Sequence, residues 1–268
     1  MKLNFSKEYK KYLKNKRLNH ILIISAQIGI LLLIIALWEI LAITNVIDTF
    51  IMSSPSRIIL TISELYLDGN LFYHIFTTLY EAIIGFLIAT IGGTILAIIL
   101  WWNETLRKIL DPYIVVLNSL PKIALGPIII IWVGVGTNAI VTMDILIMII
   151  ITIISMLNAF RQMDNSKIML LKSLGANKFQ ILTKLILPGA LSEFISLLKI
   201  NVGLTWVGTI MGEYLVSKAG LGYLIIYGSQ IFNLDLVMAS TIILCILAAL
   251  MYFIVAYIEK KFNKKYNL

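Results

Sequence analysis

An all-α membrane protein with six transmembrane helices is the fold class that the sequence predicts, and three observations support it. Hydrophobic residues make up 60% of the 268 residues, charged residues make up 13%, and the mean hydropathy is +0.94; a soluble domain has about 25% charged residues. Long apolar runs alternate with short polar blocks, and a helix needs about 20 apolar residues to cross a bilayer. Lysine and arginine are concentrated in a few of those blocks, as they are in the cytoplasmic loops of membrane proteins.

The first 20 residues carry seven of the 22 lysines and arginines and a single acidic residue. Phe5, Tyr9, Tyr12 and Leu13 recur there at helical spacing. This pattern predicts a basic amphipathic helix on the inner leaflet of the membrane, with a disordered, solvated tail as the alternative. The first predicted span, residues 21–43, is longer than the apolar core of a signal peptide and is not followed by a cleavage site.

A second amphipathic pattern follows the first span. Ser54 and Pro55 are typical of a helix N-cap and its first helical position, and Ile58, Ile62 and Leu65 then mark one face. We predict an interfacial helix on the outer side of the membrane. Five further spans are predicted at residues 74–100, from about 112 to 136, and at 138–159, 188–216 and 234–258, with a partly helical outer loop at 218–233.

The third span differs from the others because it contains Pro121 and Pro127. Two prolines cannot both lie in an undisturbed helix. Backbone groups that are freed at membrane depth need protein or water as a partner. We therefore predict a broken helix that lines a pathway, and the alternative is a structural helix that is merely kinked.

The distribution of positive charge predicts the topology. Eighteen of the 22 lysines and arginines fall on one side of this layout, Arg57 and Lys218 fall on the other, and Lys122 and Lys199 lie within spans. This asymmetry places both termini and the 160–187 loop in the cytoplasm and requires an even number of spans. Because the basic residues lie in short blocks between apolar runs, they indicate topology and not binding of nucleic acid.

The sequence contains no pattern that supports catalysis. Its two histidines, His20 and His74, are far apart, and each lies near the end of a predicted span, where an interfacial position is expected. There is no cluster of cysteine and histidine typical of a metal site and no G-x-x-x-x-G-K-[ST] motif that would hold a nucleotide. Cys245 is the single cysteine and cannot form an internal disulfide. If the protein transports actively, the energy comes from an ion gradient or from another subunit.

The longest polar interruption lies between the fourth and fifth spans. Its centre is Lys172-Ser173-Leu174-Gly175-Ala176-Asn177-Lys178-Phe179-Gln180, and Leu187-Pro188 follows. We predict a short helix over about residues 163–174 that ends at Gly175, because a glycine there can adopt the left-handed conformation. A second helix then leads back to the membrane. Such a rigid protrusion suits a cleft in a partner protein.

This loop resembles the cytoplasmic loop of binding-protein-dependent ABC importer permeases. The pattern of that family is E-A-A, three residues, Gly, nine residues, then I-x-L-P. Gly175 and the Leu187-Pro188 ending fit, whereas Met169-Leu170-Leu171 stands in place of the first triplet, so the glutamate and the alanines are absent. The resemblance implies that the loop couples to an ATPase through Lys172, Ser173, Leu174, Gly175, Ala176, Asn177, Phe179, Leu187 and Pro188.

Two further patterns are similar to the nitrate/sulfonate/taurine branch of that family. They are Ser119-Leu120-Pro121-Lys122-Ile123-Ala124-Leu125-Gly126-Pro127 with Trp132-Val133-Gly134-Val135-Gly136, and Trp206-Val207-Gly208 with Glu213 and Gly220-Leu221-Gly222-Tyr223-Leu224-Ile225.

The resemblance implies a type I importer permease core at residues 72–258, preceded by a segment 1–71 and followed by a basic tail 259–268. It further implies a bacterial cytoplasmic membrane protein that binds no cofactor itself. Its expected partners are a second permease copy, two ABC ATPase subunits that use ATP, and an extracytoplasmic solute-binding protein. Members of the branch handle nitrate, alkanesulfonates, taurine, bicarbonate-like anions and thiamine-pyrimidine precursors.

Charged residues inside the spans are candidates for the solute path, because an ionisable group at the bilayer centre costs at least about 2.5–3.5 kcal/mol and usually faces a cavity or a partner. We predict that Lys122, Lys199 or both offset the charge of an anionic solute. The alternatives are an ion pair of Lys199 with Asp144 or Glu81, or extension of its side chain toward the cytoplasm. For the polar residues the alternative is helix packing, and for Glu213 it is a place in the headgroups. The full set of predicted path residues is Pro121, Lys122, Asp144, Lys199, Asn201, Thr205, Trp206 and Glu213.

Three functions compete at this stage. The first is the permease subunit of an ATP-driven importer. The second is a secondary transporter driven by an ion gradient, although such folds usually show broken helices in matching positions of two repeats, and only the third span is clearly interrupted here. The third is a membrane scaffold or sensor. A soluble ATPase bound at the 160–187 loop distinguishes the first from the other two.

Overall fold

The computed structural model describes residues 7–266, and all regular secondary structure in that range is helical. A 3-10 turn, Lys122–Leu125, precedes α6, and a π-helical turn, Leu182–Ile186, joins α9 to α10. In chain order the helices are Lys7–Ile43 (α1), Thr49–Met52 (α2), Pro55–Leu67 (α3), Asn70–Trp102 (α4), Glu104–Ser119 (α5), Gly126–Val133 (α6), Thr137–Arg161 (α7), Asn165–Ser173 (α8), Lys178–Ile181 (α9), Leu187–Gly189 (α10), Leu191–Val216 (α11), Leu221–Gln230 (α12) and Leu234–Tyr266 (α13).

Five of the described helices are long and apolar enough to cross a membrane singly, namely α1, α4, α7, α11 and α13. Helix α5 and residues 122–133 form a sixth candidate, but their axes differ by 86°. The predicted interruption of the third span is therefore confirmed, and six spans are reached when this bent pair is counted as one.

The break in the third span lies at Leu120 and Pro121. Leu120 has extended backbone angles, as expected for a residue that precedes proline. The helix before the break begins at Glu104 and not near Pro112 as predicted, because the Asn103 side chain accepts a hydrogen bond from Leu106 N (3.0 Å) and caps it. Pro112 lies inside α5.

Helix α1 runs without interruption from Lys7 to Ile43. The helix predicted over the basic segment is confirmed from Lys7 onward, and it continues directly into the first span, since no glycine or proline occurs before Gly29. From Lys7 onward the chain is helical, so the alternative of a disordered tail does not describe these residues. Residues 1–6, which also belong to that prediction, lie outside the described residues.

The predicted start of α3 is confirmed. Ser54 is the N-cap, its side chain accepts a hydrogen bond from Arg57 N, and Pro55 is the first helical residue. Arg57 forms an ion pair with Asp235 at the start of α13 (2.7 Å), and Ser53 also donates to that carboxylate. These bonds attach α3 to the N-terminal end of α13.

Helices α4, α7 and α11 pack closely at the centre of the helix bundle, because glycines lie where these helices touch one another. A Cβ on Gly93 of α4 would lie 2.7 Å from the Thr152 side chain, and one on Gly212 of α11 would lie 3.0 Å from the Ile140 Cα. Gly85 and Gly208 both face Asp144 of α7. Small residues let helix backbones approach closely in membranes, so these glycines set the spacing of the three-helix core.

Replacing Gly93 by alanine should destabilise this core, whereas replacing its neighbour Gly92 should not. The new methyl of Gly93→Ala would overlap Thr152, and overpacking of this kind costs about 1–3 kcal/mol. A methyl at position 92 would meet only the Ile149 Cδ1 at 3.9 Å. Thermal melting of the two variants in detergent measures the difference, and equal melting temperatures would contradict the close approach of α4 and α7.

Candidate functional site

The segment between α7 and α11, residues 162–190, carries the predicted coupling residues. We call the end of the bundle at this segment the loop end, and the opposite end the α12 end. Asp164 caps α8, since its carboxylate accepts a hydrogen bond from Ser166 N (2.8 Å). This bond lowers the pKa of Asp164 below its ordinary value, so the cap stays ionised at neutral pH.

Gly175 ends α8 as predicted. Its φ is +81°, a conformation that costs other residues about 1–2 kcal/mol. Gly175 N donates to Lys172 O, and Ala176 N donates to Leu171 O, which are the two bonds of a Schellman motif. The helix itself covers Asn165–Ser173, within the predicted range of about 163–174.

The second half of the segment starts at a capping box. The Asn177 side chain accepts from Gln180 N (2.8 Å), and the Gln180 side chain accepts from Asn177 N (2.9 Å). The chain then passes through the π-helical turn and Pro188 into α11. Ile181, Leu182 and Ile186 are buried in one apolar cluster with residues of α4 and α7, so the base of the segment is fixed to the bundle.

Four large apolar side chains are exposed between residues 169 and 179, which we call the tip of the segment, although the other residues there are mostly polar. Exposed apolar groups that are clustered mark interaction sites. Lys172 and Lys184 are exposed on the same segment. The exposed fractions are 68% for Met169, 60% for Leu170, 74% for Leu174 and 62% for Phe179.

A polar group lies at the centre of the three-helix core. Asn201 of α11 is fully buried, and its Nδ2 donates to Thr90 Oγ1 of α4 and to Thr152 Oγ1 of α7, both at 3.0 Å. One turn further along, Thr205 donates to Asn201 O and contacts Met148 Sδ. One side chain therefore bonds all three helices together.

Asp144 lies further along the same core toward the α12 end. It is fully buried, and its Oδ2 accepts a hydrogen bond from Thr209 of α11 (2.8 Å). The two glycines that face it, Gly85 and Gly208, leave room for its carboxyl group. Its Oδ1 has no hydrogen-bond partner among the residues that the structure describes.

The α12 end is held by a cap on the N-terminus of α12. Glu213 of α11 accepts from Gly222 N (2.5 Å) and from the Thr78 hydroxyl of α4 (2.6 Å). Thr78 in turn accepts from Leu221 N (2.8 Å), and His74 Nδ1 accepts from Gly220 N (3.0 Å). Side chains of two spans thus satisfy amides of the first turn that have no partner inside the helix.

The Gly-Leu-Gly sequence at this point follows from the same contact. Gly220 has a φ of +109°, and a Cβ on either Gly220 or Gly222 would overlap the Glu213 carboxyl group. The two glycines of this sequence are therefore explained by the close approach of α12 to one buried carboxyl group.

A cavity of about 720 Å³ opens beside this cap. It lies between the α12 end of α4, the turn before α7 and the residues that follow α11. Glu81 lies in its wall and accepts a hydrogen bond from Thr137 (2.8 Å). The other lining side chains include Tyr73, Phe76, Tyr80 and Lys218.

Residues 89–264, more than half of the chain, match the model of the family described as binding-protein-dependent transport system inner membrane component. The chain belongs to this family. It is 29% identical over 241 residues to a putative aliphatic sulfonates transport permease protein of Bacillus subtilis (strain 168), with 89% of this chain and 87% of that protein covered.

Two further comparisons agree with this family of transport components. A taurine transport system permease protein of Escherichia coli (strain K12) is 27% identical, with 85% of each chain covered. The fold is similar to that of a chain of the MetNI methionine ABC transporter in an inward-facing conformation, with a TM-score of 0.64, 20% identity and coverage of 73% of this chain and 97% of that one. The predicted type I importer permease fold is confirmed, and the protein is a multi-pass permease of the cell membrane.

Of the eight predicted path residues in this permease, two lie at the break of the third span, five are buried, and Lys199 forms an ion pair. Lys122 and Pro121 lie at the break of the third span, where Lys122 Nζ donates to Asn118 O (3.0 Å). Five others do not face an open surface of this chain, because their polar atoms and rings pack between helices. Glu213 therefore lies within the protein and not among lipid headgroups, while the lining of a path by these residues stays a prediction. The five are Asp144, Asn201, Thr205, Trp206 and Glu213.

Lys199 has a partner that the sequence analysis did not identify. Its Nζ lies 2.5 Å from the Glu259 carboxylate near the end of α13. The suggested pairing with Asp144 or Glu81 is wrong, because both of those carboxyl groups lie further along the core and are bonded to threonines. His74 is buried within the protein and accepts a hydrogen bond from Gly220 N. The hydroxyl partners Thr78, Thr90 and Thr209 were missed, and their only signal was that hydroxyl groups occur within apolar spans.

Thr78→Val should weaken the cap on α12. The change keeps the shape of the side chain but removes a donor to Glu213 and an acceptor for Leu221 N, and unsatisfied buried groups cost about 1–3 kcal/mol each. We expect a lower melting temperature and faster hydrogen exchange at residues 220–224. Thr77→Val is the matched control, because the Thr77 hydroxyl bonds to Tyr73 O of its own helix. Equal exchange in the two variants would show that Thr78 does not hold α12.

Proposed function

We propose that the protein is one half of the pathway of an ATP-driven importer for a small anionic or polar solute, and that a separate ATPase docks on residues 162–190. The observation that carries this proposal is the tip of that segment. Four exposed apolar side chains, Met169, Leu170, Leu174 and Phe179, are presented by two caps and a Schellman motif that fix the backbone. An aromatic or apolar anchor on a rigid support is what a partner's cleft binds best.

The remaining partners follow from the same proposal. A second copy of the permease supplies the other half of the pathway, an extracytoplasmic binding protein delivers the solute, and two ATPase subunits use the ATP. This chain binds no nucleotide, other cofactor or nucleic acid. The excess of basic residues at both termini and in the 160–187 loop supports a cytoplasmic location for all three.

An anionic or sulfonated solute is the favoured substrate class. The names of two relatives describe them as transport permease proteins for aliphatic sulfonates and for taurine. Lys122 lies at the break of the third span, where the main chain departs from a straight helix and where a path residue is expected. A lysine at this position would offset the negative charge of such a solute.

Substitutions in the docking segment should weaken binding of the ATPase. Phe179→Ala deletes an exposed ring, and loss of an aromatic anchor at an interface costs about 2 kcal/mol or more, so we expect the amount of ATPase that copurifies from native membranes in mild detergent to fall severalfold. Gly175→Asp, which forces a side chain into the left-handed conformation, should have a similar effect. Mass spectrometry of the eluates measures both.

Thr183→Ala is the control, because Thr183 is exposed on the same segment and its hydroxyl donates only to main-chain oxygens of that segment, Phe179 O and Gln180 O. If no ATPase accompanies the wild-type chain, the importer proposal fails. Uptake driven by an ion gradient would then be the function to measure.

Lys122→Gln should lower the uptake of anionic solutes without releasing the ATPase. The substitution removes the positive charge while it keeps a hydrogen-bond donor for Asn118 O. Uptake of radiolabelled taurine and alkanesulfonates by cells that lack other carriers for them measures the effect. Lys108→Gln, an exposed lysine of α5 that pairs with Glu104, is the control; equal uptake by the two variants would remove Lys122 from the path.

A further inference from the structure

Lys178 joins the 162–190 segment to a distant part of the chain. Its Nζ lies 2.5 Å from Trp102 O, and it lies 5.5 Å from the centroid of the Trp102 ring and 5.9 Å from that of Trp101. Both tryptophans belong to the last turn of α4. The contact therefore spans 76 positions of sequence.

The position of Lys178 on its own side of this contact is fixed. It is the first residue of α9 and lies between Asn177 and Gln180, the two members of the capping box. Ile181, one turn later, is buried in the same apolar cluster as Leu100 of α4. The lysine thus projects from a short helix that is anchored at both ends, and its aminoalkyl chain reaches across to α4.

The group that Lys178 binds is the junction of two helices. Trp102 is the last residue of α4, and Asn103 both ends α4 and caps α5. We call residues 101–104 the α4–α5 corner. The last carbonyls of a helix have no partner inside it and carry partial negative charge, so an ammonium group is favourable there, and two indole rings add a cation–π attraction.

The α4–α5 corner leads directly to the break of the third span. Helix α5 starts at Glu104 and ends at Ser119, and Leu106, Leu110 and Ile114 of α5 pack on the same cluster that buries the base of the 162–190 segment. A displacement of that segment can therefore reach Pro121 along one continuous helix.

We propose that Lys178 is a positioning residue that ties the 162–190 segment to the α4–α5 corner, so that movement of the segment turns α5 and shifts the break at Pro121. This inference rests on the proposed function, since the ATPase is what moves the segment. The Lys178 side chain is exposed overall and is not part of the apolar core, so its substitution leaves the fold intact.

The test is hydrogen exchange, followed by mass spectrometry, on the whole transporter in lipid nanodiscs, with the ATPase that copurifies with the wild-type chain. Without nucleotide, Lys178→Met should raise the exchange of corner amides about tenfold, because a cation–π contact and a helix-end charge are lost. With ATP and vanadate, wild type should show altered exchange in both the segment and the corner. In Lys178→Met the segment should still respond and the corner should not.

Two variants serve as controls. Lys178→Arg keeps the cation and should restore the response of the corner, and Lys184→Met removes another exposed lysine of the same segment and should behave as wild type. The inference is overturned if the corner of Lys178→Met responds as in wild type, or if Lys184→Met loses the response equally. If the segment of wild type itself does not respond to the ATPase and ATP, the proposed function fails, which is a separate result.

Discussion

The close approach of α4, α7 and α11 is the constraint on which the rest of the structure depends. Polar groups inside a membrane must find partners within the protein, and here one buried amide, Asn201, bonds to Thr90 and Thr152 on the two neighbouring helices. Gly93 and Gly212 remove the side chains that would keep those helices apart. Packing and hydrogen bonding therefore require the same spacing.

This three-helix core positions both ends of the molecule. At the α12 end, His74 and Thr78 of α4 and Glu213 of α11 reach the first amides of α12 together. Those three side chains converge only because their helices already lie side by side. At the loop end, α7 leads into residues 162–190 and α11 follows them, and the base of this segment packs on Phe160 and Leu100.

The broken third span packs on that core with one face only. Helix α5, the bend of 86° and α6 leave Val115, Ile131 and Trp132 exposed on the surface of this chain. Pro121 cannot donate a backbone hydrogen bond, and the residue before it is driven to an extended conformation. One face of this bent pair is therefore uncovered in a single chain, while Ile129 of α6 packs on Ala139 and Met143 of α7.

Much of the architecture could be predicted because it depends on local physics. The spans follow from apolar length, the start of α3 from Ser54 and Pro55, the end of α8 from the freedom of Gly175, and the bend from Pro121. Each of these signals acts within a few residues of its own position, so it can be identified in the local sequence.

The pairings of charged and polar side chains could not be predicted in this way. Glu259 as the partner of Lys199, Thr209 as that of Asp144, and Trp102 as that of Lys178 lie 60, 65 and 76 positions apart. Such pairs form only when two spans have packed at a particular spacing and rotation, which depends on all the helices at once and is not a property of any local stretch.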